Sequence, residues 1–433
     1  MAVTRRHWLL SASSALVGTF VLDASGRSRP AQAQEKMNIL AHRVHRTVAT
    51  SPQGGDITAE WSKRTGAAVE WLTFDTGPLN ERLFREASLK ETTIGVAFLL
   101  NTLATPSVTS LFEPLDEYVK ADPIEEFADF FPGMVDAMRF GGKLYAVPFR
   151  HSTSGLHYNE EYLKERGLPG PPRTIEEFVE YAKKLTYTRP DGTHVTGFVL
   201  AGVNYPNVVD LARAWNGDFI TPEYQVVANQ PPMLRAVTMI RDLYQAGAFP
   251  KGFATIQDED VNTWMQTGRG AMCLGGMGRN RIFNDPTKSK FAGKIKTTTI
   301  PISKEFRDKF EVAPAKVEFW ALVIPKNARN KKLSWSLIKE MSSKPNTLKA
   351  ALNGNGPVRN STYDDPKFSG LLPYTQEERR VLKVARVPIP AFDNAQKAAD
   401  IFREEAESAV LGFKPAQKAM DDVVARVKPL LPQ

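Results

Sequence analysis

The chain has 433 residues, a formal net charge of +8 and one cysteine, Cys273. That length suits two or three domains, and a single cysteine excludes an intrachain disulfide, so stability must come from a large apolar core. No Lys/Arg block forms the concentrated basic face that nucleic-acid binding needs, so no nucleic-acid partner is expected.

Residues 1–33 read as an export signal. Arg5-Arg6 precedes a weakly apolar run that ends near Leu22, and Ala31-Gln32-Ala33 puts small residues two apart, as signal peptidase prefers. A membrane span needs about 20 apolar residues, more than this run supplies. The paired arginines and the later Arg27 and Arg29 favour the twin-arginine route; an ordinary signal with a chance arginine pair is the alternative. Without 1–33, which holds four arginines and one aspartate, the net charge is about +5. No cysteine follows the run to take a lipid, so a free periplasmic protein is expected.

From there the elements alternate. Residues 37–40 form a short strand, 42–55 a polar loop, and 56–65 a helix stopped by Gly66. A strand over 68–74, a helix over 79–91 and an unbroken apolar strand over 93–100 follow, the last reading as buried on both faces. This β-α-β-α-β order indicates an α/β domain with a mainly parallel sheet. Helical segments at 115–119 and 127–131 lead to a Gly141-Gly142 hairpin turn. Strands are then expected from Leu144 to Pro148 and over 155–159, with a short helix over 160–166. Thr174 and Glu177 form a capping box that opens a helix to Leu185. Further helices fall at 207–215, 231–246, 258–267, 331–341 and 347–351. Strands fall at 195–201, 271–274 and 319–324, and the tail is helical over about 396–430. No 20–50-residue repeat is present.

Gly142-Lys143-Leu144-Tyr145-Ala146-Val147-Pro148, then Leu156-His157-Tyr158-Asn159, then Gly167-Leu168-Pro169 and Pro171-Pro172-Arg173-Thr174 resemble the maltose-binding-like extracellular solute-binding family. Gly268–Met272, Phe319–Pro325 and Leu411-Gly412-Phe413-Lys414-Pro415 fit in order, so the likeness spans nearly the whole mature chain. It implies a two-lobe periplasmic binding protein fold of α/β class, with hinge crossings and a ligand cleft between the lobes. The crossings would lie near Phe149–Thr153, Val317–Trp320 and Gly356–Arg359. The N-terminal lobe would take 34–149 plus 321–356, and the C-terminal lobe 150–320 plus 357–433. The implied function is capture of a carbohydrate in the periplasm and its delivery to the permease of an ABC importer, by a monomer with no cofactor.

In such sheets ligands meet strand C-termini and helix N-termini. That places His42, Arg43, His45, Asp75, Asn101, Arg150, His151, Ser152, Tyr205, Trp215, Gly276, Arg279, Trp320 and Arg359 around the cleft. Sugars need planar donors and acceptors together with aromatic faces. Trp320 leads among the aromatics because the second crossing faces the cleft; Phe319, Phe74, Phe149, Tyr205 and Trp215 are further candidates, each of which could equally be core. One departure stands out: where sugar-binding members usually carry an aromatic, this chain reads Gly275-Gly276-Met277-Gly278-Arg279-Asn280-Arg281. With Arg43, Arg46, Arg150, His151 and Arg359 this loop could make a cationic cleft for an acidic ligand, or the arginines could be solvated or paired.

Other chemistries find little support. No Gly-x-Ser-x-Gly elbow, His-Glu-x-x-His helix or Walker loop is present. Ser336-Leu337-Ile338-Lys339 matches Ser-x-x-Lys but lies in an amphipathic helix without partner motifs. Glu125-Glu126, Glu176-Glu177 and Asp364-Asp365 read as solvated pairs, not a glycosidase dyad. His42 and His45 lack a third metal ligand nearby, so no metal is expected. The alternatives are the same fold with a non-sugar polar or anionic solute, and a periplasmic hydrolase.

Overall fold

The computed structural model describes residues 35–432, together with two short strands, Phe20–Leu22 and Ser28–Pro30, that pair antiparallel. The rest of the expected leader lies outside the described residues.

Nine strands make the main sheet: Lys36–His42 (β1), Ala68–Phe74 (β2), Ile94–Leu100 (β3), Val147–Asn159 (β4), Tyr187–Thr188 (β5), His194–Val199 (β6), Gly270–Gly276 (β7), Ile295–Thr298 (β8) and Val317–Val323 (β9). Their order is β2-β1-β3-β9-β4-β7-β6-β5, with β8 also on β4. β1 runs parallel to β2 and β3, and β6 parallel to β7. These two parallel patches are the cores of the two lobes. Between them, β9 and β4 run antiparallel to each other and to their outer neighbours.

β4 serves both lobes. Val147–Thr153 pairs with β9, and Ser154–Tyr158 then pairs with β7. The 13 residues span roughly 40 Å at about 3.3 Å each, so what reads in the sequence as two strands is one. β9, where the second crossing is expected, joins β3 to β4. The third lies against β4: His151 N–H donates to Gly356 O at 3.2 Å, and Asn355 Nδ2 donates to Phe149 O at 2.8 Å. A Cβ on Gly356 would stand 2.3 Å from His151 O, so this close approach requires glycine.

Ten helices bear on the site: Arg43–Thr50 (α1), Thr76–Ala87 (α2), Tyr205–Ala212 (α3), Pro231–Gln245 (α4), Asp258–Thr267 (α5), Arg279–Phe283 (α6), Lys344–Leu352 (α7), Thr375–Leu382 (α8), Ala395–Leu411 (α9) and Ala416–Val427 (α10). α1 replaces an expected loop. The His42 imidazole accepts from Val44 N–H while His45 Nδ1 accepts from His42 N–H, so two histidines cap the helix start. The expected tail helix is two, broken at Gly412, whose φ of 84° is left-handed. The helix Ile175–Lys184 starts at Thr174 as expected, but the box is incomplete. Thr174 accepts from Glu177 N–H, whereas the Glu177 carboxylate accepts from Arg173 N–H.

β3 is buried from Ile94 to Leu99, which explains its unbroken apolar run. In β7, Cys273 is fully buried, and burial pushes its thiol up to about 12. Ser336 of the Ser-x-x-Lys match receives the Trp61 indole N–H at 2.9 Å and donates to Leu333 O, a packing role.

Candidate ligand cleft

Side chains alternate across a strand, and the crossing strands use this to build a cleft floor. Glu318 and Trp320 on β9 are half-buried, while Val317, Phe319 and Ala321 between and beside them are buried. On β4, half-buried Arg150 and exposed Ser152 alternate with buried Phe149, His151 and Thr153. Register places Glu318 opposite Ser152 and Trp320 opposite Arg150. One face of the ribbon therefore presents an arginine, a hydroxyl, a carboxylate and an indole together. Phe319 and Phe149, weighed above as stacking faces, belong to the buried face.

A cavity of about 630 Å³ opens over this floor. Arg150–Ser154 and Glu318 form its base, the ends of β6 and β7 and the start of α3 one wall, and Gly354–Gly356 with Tyr374 and Glu378 the other. Gly276 lies at the β7 end, where a Cβ would stand 2.8 Å from Ser152 Oγ. Arg279 reaches the cavity but is held: Nη2 pairs with Asp258 Oδ1 at 2.8 Å and Nη1 donates to Asp258 O at 3.3 Å.

The N-terminal lobe adds a second group beside Arg150. His42 ends β1, Arg43 opens α1, and Asp75 ends the loop before α2. Arg43 Nε stands 3.2 Å from Asp75 Oδ1, with both side chains largely exposed. Burial lowers the His42 pKa; Asp75 opposes this, and Arg150 and Arg43 add to it. Trp320 sits edge-on to His45, with ring centroids 4.9 Å apart, and lies 6.4 Å from the His42 ring.

Several expected ligand contacts are engaged elsewhere. Arg359 is fully buried; it donates to the carbonyls of Ser342, Glu126 and Glu125, pairs with Asp129 at 3.3 Å, and lies over Phe130. Its guanidinium ties the 125–130 segment to the third crossing and is not offered to a ligand. His45 is fully buried and stacked on Phe98 at 4.0 Å. Asn101 is buried, and its Oδ1 accepts from Phe319 N–H at 2.9 Å; it borders a separate cavity of about 530 Å³ beside Arg213 and Arg386. Trp215 lies under Arg235 of α4, outside the cavity lining. Tyr205 packs on Phe219, and its neighbours Asn204, Pro206 and Asn207 line the cavity instead.

Residues 56–371 match the family described as bacterial extracellular solute-binding protein. The chain belongs to that family. A probable ABC transporter-binding protein of Deinococcus radiodurans is 23% identical over 385 residues, covering 85% of this chain and 88% of that protein. Among solved structures, the sugar-binding protein MalE of Xanthomonas citri aligns at a TM-score of 0.75 with 20% identity, over 91% of this chain and 97% of that one. Maltose-bound MalE3 of T. maritima aligns at 0.71 with 22% identity, over 92% and 100%. The fold is thus the two-lobe fold of extracellular solute-binding proteins.

Behind the cavity wall runs a buried hydrogen-bonded chain. His151 Nε2 meets Tyr363 Oη at 3.1 Å, and Tyr363 Oη donates to Glu378 Oε2 at 2.7 Å. All three residues are buried. Burial lowers His151 to about 3, so it is neutral and not the cation the sequence suggested. Burial raises Glu378 to about 7, against the pull of the Tyr363 hydrogen bond. Glu378 and Glu318 were both missed from sequence. Glu318 was findable, two residues before Trp320 in a strand; Glu378 sits in Thr375-Gln376-Glu377-Glu378-Arg379-Arg380, which reads as a solvated face.

Proposed function

We propose that this protein captures a carbohydrate in the cleft between its lobes and delivers it to the permease of an ABC importer, without chemical turnover. One observation carries this reading: Arg150, Ser152 and Glu318 line the cavity from one face of the two crossing strands, and Trp320 lies on the same face beside them, outside the lining. An indole face suits the C–H surface of a sugar ring, and the hydroxyl, carboxylate and guanidinium suit its hydroxyls. The cavity, about 630 Å³, is of the size that holds small organic ligands. The sugar-binding relatives support the same class of ligand.

We place the lobe boundaries at the crossings: 34–149 with 321–356, and 150–320 with 357–433. In support, α9 and α10 pack on α4 in the second group. The site of action is the periplasm, reached through the Arg5-Arg6 signal, and the working form is a monomer. No helix among the described residues is long and apolar enough to cross a membrane. The test is calorimetry of the mature protein against neutral and acidic mono- and disaccharides, with the sugar recovered and analysed. Saturable binding with unchanged sugar is expected. No binding of any saccharide, or recovery of hydrolysed sugar, rejects the proposal.

A further inference from the structure

Arg150 stands apart from the other enclosed cations around the cavity; Arg281, on the rim, has no ion pair among the described residues either, but it is exposed to water. Arg279 has Asp258, Lys316 has Asp210 at 3.9 Å, and Arg43 at the mouth has Asp75. Arg150 is half-buried on the cleft floor, its Nε is enclosed without a hydrogen-bond partner, and no described carboxylate lies within ion-pair distance. Glu318, on the neighbouring strand, opposes Ser152 and does not pair with it. The ionisable groups that feel Arg150 are His42, His45 and His151, all held toward the neutral form chiefly by burial and further by Arg150 itself. Burial also lowers the pKa of Arg150, with no anion to offset it.

A desolvated cation without a counter-charge is unfavourable, and a fold keeps one where something else supplies the missing charge. Two residues that line the same cavity also hold unpartnered polar atoms: Ser154 Oγ in its base and Asn355 Oδ1 in its wall are buried without a hydrogen bond. A hydroxyl and a carbonyl oxygen at those places match ligand hydroxyls, which both donate and accept. The planar guanidinium matches two oxygens of one anionic group at once.

We propose that Arg150 anchors an anionic group, a carboxylate or a phosphate, on a polyhydroxylated ligand, so that the solute is a sugar acid or a sugar or polyol phosphate and not a neutral sugar. This rests on the reading of the cleft as a carbohydrate site. It moves the anion contact from the loop arginine Arg279, which Asp258 already neutralises, to the hinge strand. An anion there supplies the paired counter-charge that Arg150 lacks, so binding and hinge geometry are coupled through one residue.

The test uses the mature protein, Arg150→Met and Arg150→Lys, with matched probes: D-glucose against D-glucuronate and glucose 6-phosphate, D-galactose against D-galacturonate, and glycerol against glycerol 3-phosphate. First, melting of the free proteins: Arg150→Met should melt higher than wild type, because an uncompensated cation is gone. A lower melting temperature means the arginine is structural and overturns the proposal. Second, affinity by calorimetry: wild type should prefer the anionic member of at least one pair by roughly tenfold or more, and Arg150→Met should lose that preference. Arg150→Lys should weaken it less, having charge but no planar fork. The pair that responds separates carboxylate from phosphate. Wild type binding the neutral member of every responding pair as tightly as the anionic one, or Arg150→Met keeping the anionic preference, overturns the anion and leaves the carbohydrate reading standing. No binding by any member of any pair overturns both.

Discussion

Trp320 of β9 and Arg150 of β4 stand directly opposite one another in the antiparallel register of the crossing strands. Arg150 lines the cavity, and Trp320 stands beside it against His45, outside that lining, on the side of the N-terminal lobe. Trp320→Ala should weaken ligand binding by about 1–3 kcal/mol, ten- to a hundredfold. His45 also packs on the indole, so melting of the free variant must accompany the calorimetry. Trp320→Phe should recover most of the affinity. Full affinity in Trp320→Ala removes the indole from the site.

β4 and β9 pass between the lobes without a flexible linker, which favours rigid-body closure about these strands. Small-angle scattering should show a smaller radius of gyration when ligand is saturating. An unchanged radius with binding confirmed by calorimetry argues for a preclosed cleft.

Burial raises Glu378 to about 7 from 4.5. Between those values the folded protein keeps a proton that the unfolded chain has released, so this residue makes stability fall as pH rises from 4.5 to 7. Glu378→Gln keeps the acceptor for Tyr363 and removes the charge. It should stabilise the protein by up to about 3 kcal/mol above pH 7, and by nothing from this source below pH 4.5. Chemical denaturation at pH 4.5, 6 and 8 measures this; an equal difference at all three pH values refutes it.

His151 and His157 act in the opposite sense. Burial lowers each to about 3 from 6.5. The unfolded chain takes up protons below 6.5 that the folded state refuses until about 3, so stability is lost as pH falls through that window. His157 donates from Nε2 to Gly276 O at 3.2 Å and meets Thr297 Oγ1 through Nδ1 at 2.8 Å. Acid should thus loosen the β7 end that borders the cleft. Imidazole nitrogen NMR should find both rings neutral at pH 5, and protonation of either near pH 6 would contradict the burial argument.

The proposed export route rests on residues 1–33. Changing Arg5 and Arg6 to lysine should trap the precursor in the cytoplasm if the twin-arginine route carries it. Export at the normal rate in the Lys-Lys variant would assign an ordinary signal.

Much of the fold was legible because its signals are local. The apolar run of β3, the Gly66 and Gly268 helix stops and the Thr174 cap each lie within a few residues of what they determine. α1 was not legible: its caps are histidines, and Arg43, Arg46 and Thr47 hide the inward set of His45, Val48 and Ala49. The arginines show the limit most clearly. Arg359 and Arg150 look alike in sequence, yet one is satisfied by the 125–129 segment, over two hundred residues away, and the other is left unpaired on the cleft floor. Only tertiary packing separates them, and the same holds for Glu378 beneath Tyr363.

The single thiol of the chain has a practical consequence. Cys273 is enclosed within the sheet and stays protonated at neutral pH, so electrophilic dyes will pass it by. A cysteine introduced by Arg281→Cys, at an exposed position on the cavity rim, would be the one reactive site in the mature protein. Under the rigid-body closure proposed above, an environment-sensitive fluorophore attached there would change colour or brightness on binding, making the protein a reagentless optical sensor for its own solute.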